Sequence, residues 1–370
     1  MKNKEVRVLH IDFQKEWRGG QQQGVYLFET MLNKGYHTMF ACRPNSKLSS
    51  YFKKNNLPLF EVNMFTEIDL VSAFKIASFC KKNNFNILYL HSAGAHSIGL
   101  LAKIFYRRLK LVGIRRVDFK IKSNFLSQLK YQSSFVNSIV CISNEIKRVM
   151  LGCGINNNVL KVIHSGIDTQ KFKHLKFDSD FKKKLKIPKK NIVIGTIAAL
   201  VGHKDYPNLL NAAKIVCKKR TNITFIAVGD GKKRDELKEL HSKLNLGDKF
   251  IFTGYQTDVG KYLLLFDVFV LASKTEGLGT SILDAQSVGL PIVATNAGGI
   301  PEAVQNNTNG ILVEPQNANT LADAIINLVD NKEKREQFGL NGKEYVKNFD
   351  INTTVKKHIK LMETLLQEDN

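Results

Sequence analysis

The sequence is short of acid, of paired cysteines and of long apolar runs. Only 33 aspartates and glutamates face 55 lysines and arginines, for a formal net charge of +22, and an excess of that size asks for an anionic partner. The five cysteines, Cys42, Cys80, Cys141, Cys153 and Cys217, are scattered without a C-x-x-C pair. Neither a zinc site nor a disulfide framework is indicated, and a reducing cytoplasm is expected. The most apolar window, Tyr262 to Ala272, is short and broken by Asp267, so no membrane-spanning helix is expected. The opening MKNKEVRVLHIDF lacks the apolar core of a signal peptide, and a cytoplasmic protein is expected.

The excess charge concentrates in one place. Between Lys103 and Lys130 lie nine basic residues, Lys103, Arg107, Arg108, Lys110, Arg115, Arg116, Lys120, Lys122 and Lys130, against the single acid Asp118. Three readings stay open: a lysine-rich compositional bias, a face for anionic lipid headgroups on the cytoplasmic side of the inner membrane, or nucleic acid. Nucleic acid ranks last and is not expected as a partner, because no recognised binding motif accompanies the charge.

What is present is a β/α alternation repeated twice. The 370 residues, 43% of them hydrophobic, suit two domains of roughly 150 to 200 residues each. Val6 to Ile11 reads as a first strand, followed by the glycine pair Gly19 and Gly20 and a helix ending near Gly35. Asn86 to Leu90 reads as another, with His91 and Ser92 at the edge where parallel sheets bind ligands, and His96 in the next helix. The strand LKLVGIRRVDF carries Arg115 and Arg116 on opposite faces, and Arg116 is favoured for anion binding. The alternation restarts at Asn191 to Ile197, with His203, Lys204 and Asp205 in the loop that follows. Ile223 to Val228 then leads to Gly229, and Phe250 to Gly254 closes a further strand.

The most informative stretch runs from Asp267 to Val304. Val268 to Leu271 is an apolar strand; then Gly277 and Gly279 let the backbone approach a ligand, and Thr280 or Ser281 is expected to cap a helix continued by Ile282, Leu283, Ala285 and Val288. Free N–H groups at a helix start bind phosphate. Glu276 and Asp284 bracket the turn. On a continuous helix they would stand about 12 Å apart, so both reach one ligand only if Glu276 sits in the bent loop. A molecule with phosphate at its centre and a hydroxylated ring at each end fits, and a sugar nucleotide is one.

The segment EGLGTSILDAQSVGLPIVATNAGGIPEAV resembles the donor-site motif of the retaining glycosyltransferases of family 4, and the resemblance extends over nearly the whole chain. It implies the GT-B fold: α/β, two Rossmann-like domains whose parallel sheets face an interdomain cleft. The segment VIHSGIDTQKF is similar to the one that ends the first domain in the family. The expected domains are therefore 1–172, on the acceptor side, and 173–350, binding the donor, with the last helix, about 352–370, packing back on the first.

By this resemblance Glu276 contacts the transferred sugar and Asp284, in place of the usual Glu, holds the ribose. Lys204 neutralises the donor pyrophosphate with the amides of Gly277, Leu278, Gly279, Thr280 and Ser281, and His203, Gly229 and Gly254 line the donor. Gly19, Gly20 and Arg116 face the acceptor or the cleft, and His91 is a candidate catalytic group. The arginine that usually accompanies the lysine falls on Ala199, leaving open what replaces it. Asp178-Ser179-Asp180 spells a D-x-D, yet it sits in a polar connector away from any strand end, so no metal and no other cofactor is expected. The implied activity is hexosyl transfer from a nucleotide-diphosphate sugar to a glycan or glycolipid hydroxyl in bacterial lipopolysaccharide or surface polysaccharide synthesis. Another GT-B enzyme, an epimerase or a synthase, and a basic nucleic-acid binder are the alternatives.

Overall fold

The computed structural model describes residues 5–121 and 125–368. Lys122 of the basic run lies outside the described residues, as do the first four residues and the last two. The chain forms two compact units, passing from the first to the second between Ile167 and Asp168 and returning between Phe349 and Asp350. Phe172, where the boundary was expected, belongs to the second unit, and its ring lies against Gly260.

The first unit is a parallel sheet of seven strands: β1 (Arg7–Asp12), β2 (His37–Cys42), β3 (Leu59–Glu61), β4 (Ile87–Leu90), β5 (Lys110–Arg115), β6 (Val136–Cys141) and β7 (Leu160–Val162). Their order is β3-β2-β1-β4-β5-β6-β7. The second has six: β8 (Ile192–Ile197), β9 (Ile223–Val228), β10 (Phe250–Gly254), β11 (Val268–Leu271), β12 (Ile292–Thr295) and β13 (Gly310–Val313), ordered β10-β9-β8-β11-β12-β13. Helices cover both faces of such sheets, which is why ILYL in β4, ITFIAV in β9 and VFVL in β11 are buried at every position.

Both orders reverse once, between β1 and β4 and between β8 and β11. Where the strand order reverses, the helices leaving neighbouring strands diverge to opposite faces, and a crevice opens at the strands' carboxyl ends. Each unit thus has one preferred place for a ligand. Asp12 and His91 stand at the first; the loops beginning at Ala198 and Ala272 stand at the second.

The last helix, Ile351–Gln367, belongs to the first unit. Its buried residues Ile351, Val355, Ile359, Met362 and Leu366 recur at helical spacing and pack on Val8, Leu27, Met31 and Val112. Asp350 caps it, accepting from the Asn352 N–H at 2.9 Å. No helix among the described residues is long and apolar enough to cross a membrane.

Candidate functional site

In the second unit, the loop after β11 is built to leave a helix start uncapped. Helix Thr280–Ser287 begins at Gly279, which has φ +79° and no side-chain cap. The expected caps, Thr280 and Ser281, are instead the first helical residues, because the left-handed turn at Gly279 brings the chain into the helix one residue earlier. Only a residue without Cβ adopts that turn freely, and a methyl group there would also stand 3.1 Å from Ile282 Cδ1.

Glu276 sits in the bent loop. Its carbonyl accepts from Gly299 N–H at 2.8 Å, and its carboxylate accepts from Ser273 Oγ at 3.3 Å. Ser273 is fixed in turn by the buried Thr295 hydroxyl, which donates to its carbonyl at 2.6 Å. The Glu276 carboxylate also pairs with the Lys204 ammonium, and each side chain is 15% exposed. Sequence reasoning placed these two groups on different parts of a ligand; the structure joins them into one half-buried ion pair, carried by the loops after β8 and β11.

Lys204 and His203 lie in a single 3-10 turn, Gly202–Lys204. It is anchored by Lys274 N–H donating to the His203 carbonyl at 2.8 Å and by Lys274 Nζ, 3.5 Å from Asp205. Asp205, at φ +48°, starts helix Tyr206–Lys219, and Pro207 stands in its first turn. The neighbouring loops close in at Gly229 and Gly254: Gly229 N–H donates to the Gly254 carbonyl at 2.9 Å. A methyl group on Gly229 would lie 2.1 Å from the Ala198 carbonyl oxygen. Asp284 is half-buried on the helix, where burial pushes its carboxyl up to about 6 against the pull of Lys171. Ala199 offers no charge; Arg234, the first residue of helix Arg234–Lys243, is paired with Asp230 at 3.1 Å.

The first unit gathers a second polar cluster around β1, β4 and β5. Arg116 Nη2 lies 3.2 Å from His91 Nδ1, and His91 Nε2 lies 2.8 Å from His10 Nδ1. Guanidinium can only donate, so His91 Nδ1 accepts, His91 Nε2 carries the proton, and His10 Nδ1 receives it. Burial, helped by Arg116, holds the His91 pKa well below its ordinary value and takes His10 to about 3, so both rings stay neutral. His91 therefore has no ring nitrogen left for a substrate; what it presents is Arg116, whose own pKa burial lowers to about 10.

Asp12 completes this cluster. It accepts from Gln14 N–H and from Gln21 Nε2, each at 2.8 Å, and burial raises its pKa. Gly19 and Gly20, expected ahead of the helix, are its first residues in Gly19–Asn33. Gly20 lies against Arg116, while Gly24 leaves just enough room for the His91 ring. Arg115 turns away, donating to the Phe119 carbonyl. His96 is buried against Tyr131, a packing residue. Sequence reasoning missed His10, Asp12, Gln21 and Gly24. Polar residues at alternate positions of a strand otherwise as apolar as RVLHID were the available signal.

The D-x-D residues are occupied otherwise: Asp178 caps helix Ser179–Lys184 through Asp180 N–H at 2.9 Å, and Asp180 pairs with Lys183 at 2.8 Å. The basic run likewise does not form one exposed face. Lys103 is buried, donating to Asn137 Oδ1 at 2.9 Å, Lys110 is buried, and Lys130 pairs with Glu67 at 3.1 Å. Arg107, Arg108 and Lys120 are exposed.

Comparison with known proteins bears on both units. A family model described as Glycosyltransferase Family 4 matches residues 18–171, and one described as Glycosyl transferases group 1 matches residues 177–345. The chain is 24% identical over 349 residues to the UDP-Gal:alpha-D-GlcNAc-diphosphoundecaprenol alpha-1,3-galactosyltransferase of Escherichia coli, covering 88% of this chain and 89% of that one. It is 27% identical to an N,N'-diacetylbacillosaminyl-diphospho-undecaprenol alpha-1,3-N-acetylgalactosaminyltransferase of Campylobacter jejuni, covering 80% and 82%. Among solved structures, a glycosyltransferase from Rickettsia africae aligns with TM-score 0.87 at 21% identity over 98% of this chain and 99% of that one. The Anabaena protein HepE in complex with UDP aligns with TM-score 0.86 at 19% identity over 97% and 100%. At such identities the structures show the fold, which is GT-B.

Proposed function

Since the chain belongs to the family 4 glycosyltransferases and is a glycosyltransferase acting with a nucleotide sugar, we propose that it transfers a hexose-type sugar with retention to a hydroxyl of a bacterial surface glycan or glycolipid precursor. The observation that carries this reading is the Lys204–Glu276 ion pair beside the uncapped helix start at Gly279. One cation and a row of amide donors suit a diphosphate, and a carboxylate next to them suits the hydroxyls of the attached sugar.

The costly event is departure of the nucleotide. As the bond from the anomeric carbon to the β-phosphate oxygen breaks, negative charge grows on that oxygen, and Lys204 with the amides of Leu278 to Ser281 opposes it. Glu276 exchanges its partner Lys204 for sugar hydroxyls, and Asp284 accepts from the ribose hydroxyls. The acceptor oxygen attacks from the face the phosphate leaves, giving up its proton to the departing phosphate oxygen, so no covalent nucleophile and no metal is needed. Gly19, Gly20 and Arg116 are assigned to the acceptor, with His91 and His10 holding Arg116 in place.

Uridine is the nucleoside we infer, since the Escherichia coli relative is named for UDP-Gal and the Anabaena structure holds UDP. The test is the melting temperature with UDP, GDP, ADP and their sugars, for the wild type, Lys204→Ala and Glu276→Ala. A ligand stabilises only the state that binds it. UDP should raise the midpoint, with or without EDTA; Lys204→Ala should lose most of the shift, and Glu276→Ala the extra increment that the sugar adds. No shift with any nucleotide would overturn the reading.

A further inference from the structure

The outer surface of helix Leu70–Lys82 is apolar where a surface helix is normally polar. Its inner face buries Ala73, Ile76, Ala77 and Cys80 in the core of the first unit. On its outer side and in the loop before it, Phe65 (74% exposed), Ile68, Leu70, Val71 (66% exposed) and Phe74 all stand in solvent. Single exposed apolar residues are ordinary, but five large ones within ten residues form a patch. The patch continues across to the neighbouring helix Ala93–Phe105, where Phe74 meets Phe105 edge to face at 5.4 Å and Ile104 is also exposed. Beside it a shallow groove of about 400 Å³ is lined by Phe60, Phe74 and Phe79 together with Lys75, Lys82 and one acid, Glu61.

The exposed charges around the patch are mainly basic. Lys75, Lys81, Lys82, Arg107 and Arg108 are exposed. The nearby acids are committed within the fold: Glu61 pairs with Lys53 at 2.8 Å, Glu67 accepts from Lys130 at 3.1 Å and Asp69 caps the helix through Ser72 N–H at 2.9 Å.

We propose that this face docks on an anionic lipid bilayer. An apolar tip with a rim of long cationic side chains matches hydrocarbon beneath a layer of phosphates: the rings enter the acyl boundary while the lysines and arginines remain at the headgroups. A second copy of the chain is a poor occupant, since a two-fold contact would set the same basic rim against itself. The groove gives the docking a directional element, with phosphate held by Lys75 and Lys82 and an acyl chain along Phe60 and Phe74. Neither the donor site nor its chemistry enters this assignment.

The test is co-sedimentation of the full chain, without nucleotide, with phosphatidylglycerol–phosphatidylcholine vesicles and with pure phosphatidylcholine vesicles. Binding is expected to the anionic vesicles only. It should fall about tenfold or more when Phe65→Ser, Ile68→Ser, Val71→Ser and Phe74→Ser are combined, and separately when Lys75→Gln, Lys82→Gln and Arg108→Gln are combined. Because all these side chains are exposed, melting midpoints should stay unchanged, and the charge variant tests the idea independently should the apolar one fold poorly. Failure to bind anionic vesicles, or binding untouched by both sets of substitutions, would overturn it. So would a dimer in solution that the apolar substitutions dissolve while vesicle binding is absent. A lost UDP melting shift with vesicle binding intact would fault the donor site alone.

Discussion

His10 is the residue whose role the geometry defines most sharply. Its Nδ1 accepts from His91 Nε2, its ring stacks on Phe40 at 5.6 Å, and it is fully buried. Its one task is to fix the His91 tautomer, and through it the lone pair that faces Arg116. His10→Phe keeps the ring stack but leaves the His91 N–H buried without an acceptor. The loss should be about 1–3 kcal/mol in denaturant unfolding. His10→Asn, which returns an acceptor at nearly the same distance from the backbone, should recover much of it. Equal losses for the two variants would show that His10 is only filling space.

Two helices of similar appearance in the sequence do different work. Helix Thr280–Ser287 depends on its entry: Gly279→Ala forces a side chain into a left-handed turn, at a cost of about 1–2 kcal/mol, and disturbs the very amides proposed to hold the donor. Helix Ile351–Gln367 depends on its face: Met362→Ala empties a fully buried position of the first unit, at a cost of about 2–5 kcal/mol. Thermal melting with and without UDP separates them, the first variant losing ligand shift beyond its lost stability and the second losing stability only. The same contrast explains what could be read in advance. The long strands and the bent loop between Val268–Leu271 and Thr280–Ser287 were legible because burial on both faces writes a continuous apolar run, and because Glu276, Gly279 and Asp284 are neighbours in the chain. The edge strands Leu59–Glu61 and Leu160–Val162 were not, being three residues each with half-exposed positions. The polar cluster of the first unit was only partly legible, since Asp12, His91 and Arg116 are brought together by strand order rather than by spacing.

At the scale of the whole molecule, the two units should respond to acid in opposite directions. The first holds four histidines neutral by burial: His10, His96 and His358 at about 3, and His91 well below its ordinary value. A histidine whose folded pKa lies below the unfolded 6.5 contributes its full stability above pH 6.5 and loses it as pH falls, because the unfolded chain takes up the proton first. Each loses up to about 1.4 kcal/mol per pH unit until its folded value is reached. Two such groups would suffice to consume much of a stability of about 5–15 kcal/mol by pH 4.5; the raised pKa of Asp12 offsets a part. In the second unit Asp284 acts with the reverse sign. Its carboxyl, raised to about 6, favours folding when protonated, so that contribution is complete below the unfolded value near 4 and is lost as pH rises through 6. The single tryptophan, Trp17, lies in the first unit and packs on Tyr51, so its fluorescence follows that unit alone, whereas far-ultraviolet circular dichroism follows both. Between pH 7 and 4.5 the fluorescence midpoint should drop steeply while a second dichroism transition rises slightly. Two signals that fall together would mean that the buried histidines do not govern the first unit separately, and that the two units unfold as one.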